Sequence, residues 1–330
     1  MPLEGKHFRE LLWPHLPRKT KVKTVPTVKA AIDEYLLACQ ADGLSAATLK
    51  WYRSILGMFE NSFEDRALGE ITPSDLRQYI VQLRSREDRY INAPQKPTQN
   101  GGLSEQSIAG YVTALHAFWG WVCTEYGIEN PMRNIRRIKR QQPGPKAIDP
   151  GDFVLLFNSV RNTRDRAILC FLADTGCRLG GLISLKLDDL DLIEQRATVT
   201  EKGGKRRTVV FTHYTREVLS AWLAERESSA PEVFVSFKTR RGLTGWGVSQ
   251  LMKRLKKRAG VKGRVNPHSF RHQFARAYIE NGGDIVTLAK LLGHSNINIT
   301  TAYYAVWTED ELARLHEKYS PLRSFIIDDA

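Results

Sequence analysis

Between residues 266 and 304, NPHSFRHQFARAYIENGGDIVTLAKLLGHSNINITTAYY, the chain gathers His268, Arg271, His272, His294 and the adjacent pair Tyr303 and Tyr304. A guanidinium binds the non-bridging oxygens of a phosphate, an imidazole carries a proton near neutral pH, and a phenol is a nucleophile that can form a covalent link. These are the parts needed to break a phosphodiester by covalent catalysis, without a metal cage. A single His or Arg is more often a solvated or capping residue. The ordered set carries the reading.

The elements that hold these groups are legible in the spacing. Pro267 suits the first turn of a helix, and His268 and Arg271, three residues apart, then share one face. Asn281-Gly282-Gly283 breaks that helix. Ile285, Leu288, Ala289, Leu291 and Leu292 predict a second, short amphipathic helix stopped by Gly293, which leaves His294 at a helix end facing a turn. From Ile297 through Thr300 and Thr301 a helix restarts and carries the two tyrosines.

The whole chain fits a polyanionic partner. At 330 residues it has room for two domains with sizeable cores, and its net charge of +13 with a pI near 9.6 favours a polyanion. The basic excess is spread along the chain: residues 1–146 hold 21 Lys and Arg against 15 Asp and Glu, and the remainder 28 against 21. Cys39, Cys123, Cys170 and Cys177 show no C-x-x-C spacing and lie in apolar, helix-like contexts, so buried thiols are expected rather than disulfides or zinc ligands. No metal site is expected. There is no apolar run of 18 residues and no charged-then-apolar leader, which argues against membrane insertion and secretion and leaves the cytoplasm as the expected compartment.

Residues 1–24 form a basic, proline-punctuated stretch with Arg18, Lys19, Lys21 and Lys23, consistent with a solvated tail or with an arm that contacts DNA. Apolar residues at helical spacing then predict four helices. They carry Val28 to Leu36, Leu49 to Phe59 behind a Ser45 cap, Leu76 to Leu83 behind Thr72-Pro73, and Ile108 to Val122 behind Ser104. The polar stretch 86–102 is expected to be a long loop. Residues 131–147 hold Arg133, Arg136, Arg137, Lys139, Arg140 and Lys146 and no acid, a linker suited to tracking phosphates. Beyond it, Asp149-Pro150 opens a helix, and a second apolar helix runs from Arg164 to Thr175 and ends at Gly176. Residues 196–211 alternate on both sides of Lys202-Gly203-Gly204-Lys205 and read as a β-hairpin. Helices are expected at about 214–227 and 245–259. The latter follows a basic tip with Arg240 and Arg241 and carries Lys253 and Lys256, a helix suited to lie along a nucleic-acid backbone. Residues 309–318 read as a last amphipathic helix, followed by an apolar, then acidic tail.

The residues HSFRH resemble the H-x-x-R box of the tyrosine recombinase (phage integrase) family, and LLGHSNINITTAYY resembles its L-G-H box with the nucleophile behind it. TGCRLGGL resembles the first arginine box, T-G-x-R-x-x-E-L, with Arg178 as its arginine. Gly181 stands where the family usually has an acid, which bears on how Arg178 is oriented. The resemblance implies a mainly α fold with a small antiparallel sheet. It divides the chain into an arm (1–24), a helical core-binding domain (25–130), a linker (131–147), an α+β catalytic domain (148–319) and a tail (320–330) that the family often passes to a neighbouring subunit.

By the same resemblance, the reaction is phosphoryl transfer from a DNA bond to tyrosine and back, through a 3′-phosphotyrosyl link, with no metal, cofactor or ATP. Arg178 and Arg271 would bind the phosphate and Lys202 would protonate the leaving oxygen, Lys205 being the weaker candidate. His268 would be base or relay, and His294 a further hydrogen-bond donor to the phosphate. The family's spacing from the L-G-H histidine selects Tyr303 as nucleophile, while the pattern T-T-x-x-Y selects Tyr304. The partner implied is a double-stranded DNA site held by a homotetramer on two duplexes, in a cytoplasmic, nucleoid-associated setting, with room for accessory DNA-bending proteins. Two rival readings are a type IB topoisomerase and a DNA-binding relative without catalysis, toward which Gly181 leans.

Overall fold

The computed structural model describes residues 25–63, 66–89, 99–139, 147–201, 204–294 and 297–304, with five positions between 313 and 320, and gives the backbone alone for 89, 299 and 302–304. The basic arm, Arg140, Lys146, Lys202, most of the expected helix at 309–318 and the tail lie outside the described residues. The chain divides into two units between Gln142 and Pro143.

The first unit is built from α1 (Val28–Ala41), α2 (Ala46–Glu60), α3 (Pro73–Ser85) and α4 (Glu105–Tyr126). Each start is fixed by an oxygen that satisfies a free N–H of the first turn: Thr27, Ser45, Thr72 and Ser104 each accept from the residue three ahead. At α3 this becomes a full capping box, with Asp75 accepting from the Thr72 backbone at 2.8 Å and pairing with Arg66 at 3.1 Å. The Asp75 carboxyl is accordingly held down at about 2, first by Arg66 and then by Thr72. The apolar faces meet around fully buried Phe59, Phe118 and Trp119, with Tyr79 edge-on to Phe59 at 5.3 Å.

Two expectations change here. The stretch 86–102 is not loop throughout, because its ends pair as β1 (Asp88–Arg89) and β2 (Gln99–Asn100), antiparallel. Nor does the linker begin at 131. Met132 is fully buried in the helical core, and Ile135 and Ile138 pack against the same core, while Arg133, Arg136, Arg137 and Lys139 are exposed. Apolar residues at every third position pin the first half of the basic segment to the helices and turn its charges outward.

The second unit contains α5 (Pro150–Asn158), α6 (Thr163–Thr175), the short α7 (Leu179–Ser184), β3 (Leu190–Asp191), β4 (Arg196–Thr200), β5 (Arg206–Val210), α8 (His213–Glu225), α9 (Gly245–Ala259), α10 (Pro267–Glu280), α11 (Ile285–Leu292) and α12 (Ile297–Tyr304). The strands form an antiparallel sheet in the order β3-β4-β5, in which Thr198 faces Thr208 across the hairpin. Ala197, Val199 and Val209 turn inward. Helix α6 is buried on nearly all sides, from Ala167 to Leu172, and packs against α8 and α10, so it is the axis of this unit. Its cap residue is Gly176, at φ +57°, a left-handed position where a Cβ would also come within 2.6 Å of Phe274.

Among the described residues no helix is long and apolar enough to cross a membrane. Cys39, Cys170 and Cys177 are buried free thiols and Cys123 is half-buried. Burial pushes the Cys170 and Cys177 thiols up to about 12 and about 11, which makes them poor nucleophiles.

Candidate active site

Helix α10 begins with an Asn266–Ser269 capping box and Pro267 in its first turn, which places His268 on the opening turn and Arg271 one turn further on. Arg271 is buried. Its Nη1 donates to the Gly176 carbonyl at 3.0 Å and its Nη2 to the Leu292 carbonyl at 2.7 Å, so one guanidinium ties the end of α6 to the end of α11. The same Nη2 meets His294 Nε2 at 2.8 Å. Glycines close both helices in the left-handed conformation, Gly176 on α6 and Gly293 on α11. The carbonyls are thereby left for Arg271, and the chain turns at once into Arg178 on one side and His294 on the other.

The protonation of His294 follows from its partners. An arginine N–H can only donate, so His294 Nε2 accepts; the ring proton is on Nδ1 and points at Thr300 Oγ1, 2.7 Å away and fully buried. Burial, then the charges of Arg271 and Arg178, pull the His294 imidazole down to about 4, and it is neutral at neutral pH. Toward Arg271, Nε2 is therefore an acceptor. His268 and His272, one turn apart on α10, are also held below the ordinary histidine pKa. Desolvation comes first in both, followed for His268 by Arg271, Arg178 and Arg264, and for His272 by His268, Arg271 and Arg264. Both imidazoles are thus kept neutral, and the guanidinium groups around them make them weaker bases than a solvated histidine.

Arg178 is the N-cap of α7, and roughly a third of its side chain is exposed. Its guanidinium pairs with Glu201, directly after β4, and the largely enclosed Glu201 carboxylate also accepts from Arg207 Nε at 3.0 Å. Arg207 in turn donates from Nη1 to the Leu291 carbonyl at 2.6 Å. Glu201 and Arg207 are the members of this cluster that the sequence reading missed, along with Thr300. The alternation of the hairpin was its signal, since Glu201 stands immediately before Lys202.

The remaining sequence candidates fall out unevenly. The structure brings Arg178, Arg271, His268 and His294 into one electrostatic neighbourhood, because the two arginines appear together among the charges acting on both imidazoles. The backbones of Tyr303 and Tyr304 lie on α12, which packs against α11 and α10, and their side chains lie outside the described residues. Lys202 lies outside as well. Of the candidate backbone contacts, Arg136, Arg137, Lys139, Arg241 and Lys253 are exposed. Arg240 is paired with Glu227 at 2.8 Å, and Lys256 donates to the Lys262 carbonyl at 3.0 Å, so these two are partly committed to the protein itself.

The chain is similar to known proteins over most of its length. Residues 148–310 match the model of the phage integrase family. The chain is 30% identical over 292 residues to the tyrosine recombinase XerD of Listeria monocytogenes serotype 4b (strain F2365), covering 84% of this chain and 94% of that protein. It is 29% identical over 304 residues to the tyrosine recombinase XerC of Proteus mirabilis, covering 89% and 95%. Among solved structures, the Tn1549 transposon integrase in complex with a circular intermediate DNA shares the fold at TM-score 0.70 and 17% identity, over 88% of this chain and 99% of that one. A lambda integrase tetramer bound to a Holliday junction does so at TM-score 0.67 and 18% identity, over 89% and 83%. The fold is mainly helical with a small antiparallel sheet, and by these relationships the chain belongs to the tyrosine recombinase (phage integrase) family and is a site-specific recombinase.

Proposed function

We propose that this recombinase cuts and rejoins double-stranded DNA through a 3′-phosphotyrosyl link, with Arg178, Lys202, His268, Arg271, His294 and one of Tyr303 and Tyr304 as its active site. The observation that carries the assignment is the buried Arg271 guanidinium. It joins the carbonyl ends of two helices and touches His294, so that residues from three segments of the sequence share one electropositive site.

The chemistry follows from the groups. A phenol with an ordinary pKa near 10 attacks poorly at neutral pH. Neutral His268 is the base that relieves the tyrosine of its proton, directly or through a relay. The two guanidinium groups meet the negative charge that builds on the non-bridging oxygens, and Lys202 gives a proton to the departing 5′ oxygen. His294 enters by exchanging tautomers. When the phosphate draws Arg271 Nη2 away, Nε2 can take a proton from solvent as Nδ1 gives its own up to solvent, and the Thr300 hydroxyl then donates to Nδ1 while Nε2–H faces a phosphate oxygen. The phosphotyrosine keeps the energy of the broken bond, and reversal of the steps rejoins the strand.

In this reading the helical unit is the core-binding domain. The exposed Arg136, Arg137 and Lys139, together with Arg241 and Lys253, meet DNA phosphates, and Arg140 and the arm at 1–24 extend that contact. Four active sites serve a complete exchange, so the working form is a homotetramer on two duplexes passing through a Holliday junction, in the cytoplasm and on the nucleoid. The lambda integrase tetramer bound to a Holliday junction and the Tn1549 transposon integrase in complex with a circular intermediate DNA, which share the fold, support the DNA-bound part of this reading. The test is strand exchange between two labelled duplexes carrying a site selected from random DNA by the protein, in chelator and without nucleotide. Recombinant product and synaptic complexes of four protomers are expected; complexes of two protomers, or dependence on a divalent ion, would contradict the proposal.

A further inference from the structure

The acid missing at position 181 has consequences that the structure makes visible. Helix α7 has Arg178 as its N-cap, no side-chain cap hydrogen bond and no acid in its first turn, so nothing within the helix holds the arginine. Gly181 lies against β4. A Cβ there would be 3.1 Å from Val199 Cβ, closer than ordinary van der Waals contact, so any larger residue would push the strand by a few tenths of an ångström. The glycine therefore lets α7 settle on β4, and the residue directly after that strand, Glu201, reaches Arg178.

Resting on the assignment of Arg178 as a phosphate-binding group, we propose that Glu201 is its positioning carboxylate, supplied by the hairpin in place of an acid on α7. Three observations carry it. The Glu201 side chain is only 9% exposed, whereas Arg178 is 34% exposed, so the carboxylate grips one edge of the guanidinium and leaves part of it open to a ligand. A carboxylate this enclosed needs partners, and it has two, Arg178 on one oxygen and Arg207 Nε on the other. Arg207 is itself tied to the Leu291 carbonyl, one residue before the carbonyl that holds Arg271. Glu201 thus links the two phosphate-binding arginines through a single chain of contacts.

The experiment follows single-turnover formation of the covalent adduct by the full-length protein. It uses saturating amounts of a nicked duplex that carries a site selected from random DNA by the wild-type protein. Glu201→Gln, equal in size and uncharged, is expected to slow adduct formation at least tenfold, with duplex affinity changed less than threefold and the same thermal midpoint within a few degrees. Glu201→Asp, which keeps the charge on a shorter stem, is expected to lie between wild type and E201Q. In an Arg178→Lys background, where the guanidinium that Glu201 holds is already lost, E201Q is expected to add less than a threefold effect. The proposal is overturned if E201Q cleaves within threefold of wild type, if E201Q is faster than E201D, or if the tenfold loss persists undiminished in the R178K background. If R178K itself cleaves at the wild-type rate, it is the assignment of Arg178 that has failed.

Discussion

His294 shows how much one contact decides. Because Arg271 can only donate, the imidazole beside it must stay unprotonated, and its pKa lies at about 4 against an ordinary 6.5. The sign of the linkage follows. A histidine held neutral in the folded state binds its proton more readily when unfolded, so stability falls as the pH drops from about 6.5 toward 4 and levels off below that. His268 and His272 act in the same direction, whereas Asp75 titrates only below its ordinary 3.8. The thermal midpoint of the protein is therefore expected to fall between pH 7 and pH 5, and less steeply for His294→Gln than for wild type; parallel curves would contradict the assignment. Arg271 is the more costly residue to lose. Arg271→Ala strands two buried carbonyls and is expected to cost about 2–4 kcal/mol in denaturant titration, with loss of cleavage.

At the scale of elements, caps supplied from a distance recur. The cap residue of α8, Thr212, makes no side-chain cap of its own; instead Asp174, at the end of α6, accepts from the Thr212 N–H, the Thr212 hydroxyl and the Thr215 hydroxyl, each at 2.7 Å. Asp174→Ala is expected to lower stability by about 1–2 kcal/mol, measured by denaturant unfolding, without changing duplex affinity. Such contacts explain what the sequence could and could not disclose. Local rules located Pro267, Gly176, Gly293 and the paired strands β4 and β5, because caps, left-handed glycines and alternation are written in neighbouring residues. The Arg178–Glu201 and Arg271–Gly176 contacts join residues 23 and 95 positions apart, and nothing in their immediate surroundings announces them. The same holds for the basic segment. Its charge was obvious, while the anchoring of Met132, Ile135 and Ile138 in the helical core was a spacing of three hidden among arginines.

For the molecule as a whole, the net charge of +13 makes DNA affinity a matter of displaced counterions. Each phosphate contact removed is expected to reduce the slope of log affinity against log salt by about 1, so Arg136→Ala and Arg137→Ala should each do so. Arg240→Ala should do less, since Glu227 already holds it. Fluorescence anisotropy across a salt series reads both. Tyr303 and Tyr304 are adjacent on α12, about 100° apart around a helix, so one alone can face the phosphate. The most direct measurement is therefore covalent capture on a nicked duplex carrying the selected site, comparing wild type with Tyr303→Phe and Tyr304→Phe. The account expects a protein–DNA adduct with the wild type and its loss in one variant alone, with Tyr303 favoured by its distance from His294. Adduct formation that survives in both single variants, or no adduct on a site the wild type binds, would contradict it.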